Sequence, residues 1–251
     1  MKGTHMSKHA NKLKVYAMAD MHGHLGKYAP RDDADIVIIA GDFSLAEEKG
    51  NRDKKHREKE EKRMQKKVLE WVNGEFCDWC GKWGRPAHPA DVIIMPGNHD
   101  RFLHRFFKDV KLPENVRFLV DNEINVRGLR IYGTPWCKSR HPYKELGSQI
   151  FETSEGVLKM LFANIPDNGL DILVSHMPPY IDHSVEFRGE KCSKELATRL
   201  LEMKNPPKCV LCGHVHNGKG EKAKTSMDNN VRVVNVSRDV HPVRLNQEED
   251  K

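Results

Sequence analysis

Apolar residues along this chain fall into short unbroken runs, and polar residues gather directly behind them. The run at 13–19 (LKVYAMA) ends at Asp20, and the run at 35–40 (DIVIIA) ends at Gly41-Asp42. Further runs at 92–95 (VIIM), 171–174 (DILV) and 208–212 (KCVLC) lead into Gly97, Ser175-His176 and Gly213-His214. Continuous apolar runs bounded by Gly or Pro predict strands covered on both faces. Each run delivers its polar residues just past its C-terminal end, the edge at which open α/β sheets bind ligands.

Helical periodicity lies between the runs. Met64, Val68, Trp71 and Val72 recur at helical spacing, as do Val157, Leu158, Leu161 and Phe162. Segment 193–203 begins with Ser193, a good N-cap, and carries Leu196, Leu200 and Met203 on one face. Segments 116–120, 124–126 and 129–132 read as short antiparallel strands, the last two joined across Arg127-Gly128. Segments 231–236 and 243–245 complete a second sheet in this reading. The expectation is one α/β domain over 13–246, with two sheets in the middle, helices outside and no internal repeat.

Composition narrows the class. The 251 residues are 38% hydrophobic and 31% charged, as in a globular chain with a polar surface. No apolar stretch reaches the ~20 residues of a membrane span, and the N-terminus lacks the apolar core of a secretory signal. A cytoplasmic location is therefore expected. Residues 1–6 (MKGTHM) resemble a cloning remnant before a second start, and 247–251 read as a short tail. The six cysteines (77, 80, 137, 192, 209 and 212) should then stay reduced. Lys plus Arg exceed Asp plus Glu by 42 to 36, a surplus that favours phosphorylated substrates through the long-range field.

Residues 49–67 depart from this average, with ten Lys or Arg against four Asp or Glu. Opposite charges four apart (Asp53 with Arg57, Glu58 with Lys62) support a solvated helix. The alternative is a basic arm for nucleic acid or another polyanion.

The candidate chemistry sits in five motifs: Asp20-Met21-His22, Gly41-Asp42, Gly97-Asn98-His99-Asp100, Ser175-His176 and Gly213-His214-Val215-His216. Each has a bland reading. A lone strand-end Asp can cap a helix, and Gly-Asn-His-Asp can form a turn. Jointly those readings fail, because Asp, Asn and His converging at strand ends are the material of a metal site. Cys77-Asp78-Trp79-Cys80 with His88 offers only three of four zinc ligands and reads as ordinary helix or loop. Cys209 and Cys212 read as core. His24, His183, Trp136, Arg140 and His141 are possible cleft residues, Arg140 as a phosphate partner.

In order and spacing, D-x-H, GD, GNHD, H and GHxH resemble the calcineurin-like metallophosphoesterase family, over about 14–237. Segments 128–136 (GLRIYGTPW), 175–179 (SHMPP) and 212–220 (CGHVHNGKG) look like its compact, cap-less metallophosphoesterase-domain subgroup. The resemblance implies a four-layer αββα sandwich of two mixed sheets. It implies one metal held by Asp20, His22, Asp42 and His216, and a second by Asp42, Asn98, His176 and His214, with Asp42 bridging. His99 would face the phosphoryl group with Asn98 and protonate the departing oxygen, and Asp100 would orient its ring.

The activity so implied is phosphoester hydrolysis by metal-bound hydroxide, leaning toward diesters such as cyclic nucleotides or aryl diesters, with monoesters open. Mixed His, Asp and Asn ligation suits manganese or iron first, with zinc and cobalt as alternatives, better than calcium. The rival readings are a metal-dependent nuclease using 49–67 and a non-enzymatic scaffold of the same fold that binds a protein partner. The scaffold reading predicts lost ligands, and every ligand position is present here.

Overall fold

The computed structural model describes residues 13–24, 33–43, 90–100, 114–139, 150–216 and 224–245, with residues 59, 62, 63, 66, 76, 77, 82 and 83 between them. The predicted Met64–Val72 periodicity, Arg140, His141 and nearly all of 49–67 lie outside the described residues.

Strands β1 (Val15–Met18) and β2 (Ile36–Ala40) run parallel, with Val15 opposite Ile36. A two-residue hairpin of β3 (Phe76–Cys77) and β4 (Lys82–Trp83) follows. Then β5 (Asp91–Met95) joins β2, and β6 (Val116–Phe118) joins β5, both in parallel. Strand β7 (Asn122–Val126) turns back on β8 (Leu129–Thr134) across Arg127-Gly128, as the pattern predicts. Two short strands, β9 (Cys137–Lys138) and β10 (Glu152–Thr153), pair in parallel beside it.

The rest alternates. Helix α1 (Glu155–Ala163) leads to β11 (Ile172–Ser175), and α2 (Lys194–Glu202) to β12 (Cys209–Cys212). Strands β13 (Lys224–Ser226), β14 (Arg232–Asn235) and β15 (His241–Val243) end the series. The strand orders are β15-β1-β2-β5-β6 in a five-stranded sheet and β13-β14-β12-β11-β8-β7 in a six-stranded one. Both are mixed: parallel in the middle, with antiparallel strands at edges.

Two apolar layers hold this together. Ala17, Ile36, Ile38, Ile93 and Met95 of the first sheet pack with Ile131, Ile172, Val174, Leu211 and Val234 of the second. On the second sheet's other face, Tyr132, Leu173, Val210 and Val233 pack with Leu158 and Phe162 of α1 and Leu196 and Leu200 of α2. Met18, Val37, Ile39 and Ile94, which alternate with the first set, are buried too. Each fully buried aliphatic side chain contributes ~1.5–3 kcal/mol, which explains why the runs are unbroken rather than alternating. Ser193 caps α2 as expected, its Oγ accepting from Leu196 N at 3.1 Å. The architecture is the expected α/β sandwich.

Two strand placements differ from the sequence reading. Strand β6 is a parallel edge of the first sheet, not part of an antiparallel set. Its three residues carry no signal of direction, and the connection of about twenty residues from β5 is long enough for a parallel return. Strand β15, expected in the second sheet, instead pairs antiparallel with β1 of the first. Ser237 already bridges Ala19, and Arg238 N donates to Ala19 O at 2.9 Å, so the chain is stitched to β1 before β15 begins.

Register fixes where the polar loops emerge. Thr134, Ser175, Cys212 and Asn235 stand side by side across four parallel strands, as Ala40 and Met95 do in the first sheet. The segments after these residues therefore leave the sandwich at one end.

Candidate metal centre

The loop after β1 is laced to the loop after β2. Asp20 N donates to Gly41 O at 3.0 Å, His22 N to Asp42 O at 2.9 Å and Gly23 N to Phe43 O at 2.9 Å. To make these turns Asp20, His22 and Asp42 take positive φ (56°, 44° and 53°), and His214 does the same at 66°. Left-handed backbone at a non-glycine costs of order 1 kcal/mol and concentrates at functional sites. Four of the nine such residues among those described belong to the predicted ligand set. Glycine is needed behind them: a Cβ on Gly41 would lie 2.2 Å from His176 Nδ1, and one on Gly97 2.4 Å from Asp42 Oδ1.

Asp42 is the hub of the cluster. Its Oδ2 lies 3.3 Å from His176 Nε2, 3.8 Å from His22 Nε2 and 3.9 Å from His99 Nε2, while its Oδ1 accepts from His99 N at 2.9 Å. Asp20 sits on the other side. Its Oδ1 is 3.1 Å from His216 Nε2, and its Oδ2 accepts from His214 N at 2.9 Å and from Ser237 Oγ at 2.5 Å. The His22 ring makes edge contacts with His99 and His216, and the His176 ring with His214. His214 and His216 thus serve different halves of the cluster.

Asn98 closes the second half. Its Oδ1 faces His176 Nε2 at 3.1 Å, and its Nδ2 donates to Glu152 Oε1 at 3.0 Å. A carboxylate only accepts, so Glu152 fixes which end of the amide faces the histidine. His176 Nδ1 donates to Ala40 O at 2.9 Å, which aims Nε2 inward, the usual second contact of a metal-binding imidazole.

The electrostatics call for cations. Burial raises the pKa of the Asp42 carboxyl, yet His176, followed by His99 and His22, outweighs it and holds the acid well below its usual range. Burial likewise works against charge on His176, but Asp42 and then Asp20 push it up to about 10. The resulting Nε2 proton sits among Asp42 Oδ2 and Asn98 Oδ1, the oxygens a cation would take. Desolvation and then the neighbouring His176 bring the half-buried His214 down to about 3, so it stays neutral. Among the described residues no lysine or arginine pairs with Asp20 or Asp42, and His22 Nδ1 is buried without a hydrogen-bond partner. Asp20 with His22 and His216, Asp20 with Asp42 and His176, and Cys137 with His176 and His214 each place ligand atoms within 4.8 Å of one another. Hard oxygens beside imidazole nitrogens fit divalent transition metals.

All seven predicted ligands, and His99, therefore come together at one end of the sandwich. The buried Oδ2 of Asp100 accepts from Gly97 N at 2.8 Å and Phe43 N at 3.1 Å, bracing the two ligand loops. Sequence reasoning missed Glu152, Ser237, Asn235 and Cys137. Asn235 is buried, donates to Val215 O at 2.6 Å and accepts from Ser237 N, so it shapes the histidine loop. It follows an apolar run as the other motif residues do, and that signal was available.

Fold and cluster together define an α/β sandwich with a metal centre at one strand edge. The sequence model of the family described as Calcineurin-like phosphoesterase matches residues 13–218, and the chain belongs to that family. It is 30% identical over 193 residues to metallophosphoesterase domain-containing protein 1 of Homo sapiens, covering 65% of this chain and 53% of that protein. It is 26% identical over 213 residues to a UPF0046 protein of Caenorhabditis elegans, covering 79% of this chain and 50% of that one. The chain thus spans about half the length of these curated relatives. The relatives' description agrees with the expected subgroup. The solved structure of TT1561 of Thermus thermophilus superposes with a TM-score of 0.57 over 93% of this chain and 99% of that one, at 16% identity. That likeness supports the fold.

Proposed function

We propose that this chain is a metal-dependent phosphoester hydrolase built on one domain, 13–246, with a preference for diesters. The observation that carries the reading is the single oxygen Asp42 Oδ2 within 3.9 Å of three imidazole Nε2 atoms, with Asp20 and Asn98 completing the ring. Asp20, His22, Asp42 and His216 would hold one cation, and Asp42, Asn98, His176 and His214 the other. Bound there, two cations supply positive charge for phosphoryl oxygens and lower the pKa of water. Manganese and iron suit these donors first.

The chain's own residues do the rest. His99 is a quarter exposed where the hub residues Asp42 and His176 are buried, so it faces the open side. It stabilises the phosphoryl charge and protonates the leaving oxygen, and its backbone N–H on Asp42 Oδ1 keeps it in step with the hub. Asp100 keeps the Asp42 and Asn98 loops at fixed separation. A cytoplasmic location is part of the same reading. No helix among the described residues is long and apolar enough to cross a membrane.

The test is a screen of the manganese-loaded protein against bis-p-nitrophenyl phosphate, p-nitrophenyl phosphate, cyclic nucleotides and single-stranded DNA. Faster turnover of small diesters than of monoesters or DNA is the expected result. Failure on all four substrates would refute the reading.

A further inference from the structure

Among the described residues a sulfur also reaches the centre, beyond the seven oxygen and nitrogen residues assigned as ligands above. Cys137 is fully buried, and its Sγ lies within 4.8 Å of the ligand nitrogens of His176 and His214. It is held there by the main chain. Strand β8 ends at Thr134, level with Ser175, so the chain beyond it passes beside His176. Cys137 N then donates to Phe151 O at 2.7 Å, and β9 pairs with β10 so that Cys137 stands opposite Glu152. Lys138 N points at Met177 Sδ at 3.1 Å, tying the next residue to the loop after β11. The thiol's own partner is weak, Pro135 O at 3.7 Å, so little opposes its turning toward the histidines.

We propose that Cys137 is a further metal ligand, adding a sulfur to the position held by His176 and His214. The inference rests on the metal-centre reading above and gives that position a character the oxygen and nitrogen residues alone would not. On binding, the S–H bond breaks, a sulfur–metal bond forms and the proton leaves to solvent. Thiolate is a soft donor, so this position selects zinc, cobalt, cadmium or ferrous iron over manganese. Among the described residues, the position built on Asp20, His22 and His216 has oxygen and nitrogen donors. The two halves of the centre then differ in the metals they prefer.

The experiment loads the full chain with cobalt(II) and compares it with Cys137→Ser and Cys137→Ala. A thiolate-to-cobalt charge-transfer band in the near ultraviolet should be present in the parent and lost from both variants. Comparing variants removes any signal from the other cysteines. In competition, elemental analysis should show zinc-over-manganese preference falling about tenfold, the scale of a perturbed metal environment. Both variants should still bind two manganese ions per chain with an unchanged circular dichroism spectrum. A band and a preference that survive both substitutions, with two ions still bound, would overturn the role of Cys137 and leave the proposed function standing. A parent chain that binds no ion would overturn both.

Discussion

Aspartates stand at both ends of the strands, and the two sets live in opposite circumstances. At the N-terminal edge, Asp91 receives Arg117 at 2.6 Å and Arg127 at 2.7 Å. Asp171 accepts from Lys208 Nζ at 2.6 Å and Arg130 N at 2.9 Å, and Asp35 from Lys14 N at 2.9 Å. Arg127 Nη1 lies 3.5 Å from Asp35 as well, so each of these aspartates has a permanent cation of the chain beside it. At the C-terminal edge Asp20 and Asp42 are more deeply buried, and the described residues around them offer imidazoles, amides and a hydroxyl. Strand β2 shows the contrast within one element, with Asp35 before it and Asp42 after it. Among the described residues the cation facing Asp42 is a titratable imidazole, His176, rather than a lysine or arginine, an arrangement in which an outside cation can replace the proton.

The largest test of that contrast is Asp42→Ala. Removing a ligand shared by both positions should take bound metal from two ions per chain toward none, and activity to background. Changes to mere outer partners already cost ~10–100-fold in metal affinity. Elemental analysis and turnover of an aryl diester measure both effects; retention of two ions would refute Asp42 as the shared ligand. Next comes His99→Ala, which should leave both ions bound while turnover falls roughly 10²–10⁴-fold. Loss of metal in that variant would move His99 into the ligand set and out of the acid role.

Much of this is legible in the chain. Asp20, Asp42, Asn98, His176, His214 and His216 can be picked out because each directly follows a buried strand, and parallel strands bring such positions to one edge. The N-terminal-edge aspartates lack that mark, since each precedes its run. What stays hidden depends on contacts far apart in sequence. Glu152 meets Asn98 across 54 positions, and Ser237 meets Asp20 across 217. Neither residue type at those places carries a local signal. The edge taken by β15 is hidden likewise, because three residues pair equally well with either sheet.

A smaller effect separates orientation from ligation. Glu152→Leu removes the acceptor that holds the Asn98 amide in one sense, so affinity for the cation at the His176 position should drop ~10–100-fold. Glu152→Gln keeps an acceptor oxygen and should restore most of it. Calorimetric titration with manganese reads the two variants against each other. Equal losses in both would mean that the carboxylate's charge matters more than its aim.

The smallest expected change lies at the opposite edge, in Asp91→Asn. Burial works to raise the Asp91 carboxyl, but Arg127 and then Arg117 outweigh it and lower its pKa. Both guanidinium groups are about 40% exposed, so solvent screening limits the loss to about 1 kcal/mol. In a chain of this size that is a Tm decrease of about 2–4 °C, with metal content and turnover unchanged. A depressed carboxyl pKa stabilises the fold above its unfolded value, ~3.9, and that contribution is lost as pH falls through the lower folded value. The Tm gap between parent and variant should therefore be full at pH 7, shrink as pH falls below about 4, and narrow in 1 M salt. A gap that widened on acidification would contradict the pairing, and a loss of metal at neutral pH would erase the distinction between the two edges. Asp91 reaches Arg127 in the turn between β7 and β8, so this pair also fastens one sheet to the other. At this end the carboxylates close the sandwich with the chain's own cations; at the other they leave it open to cations from outside.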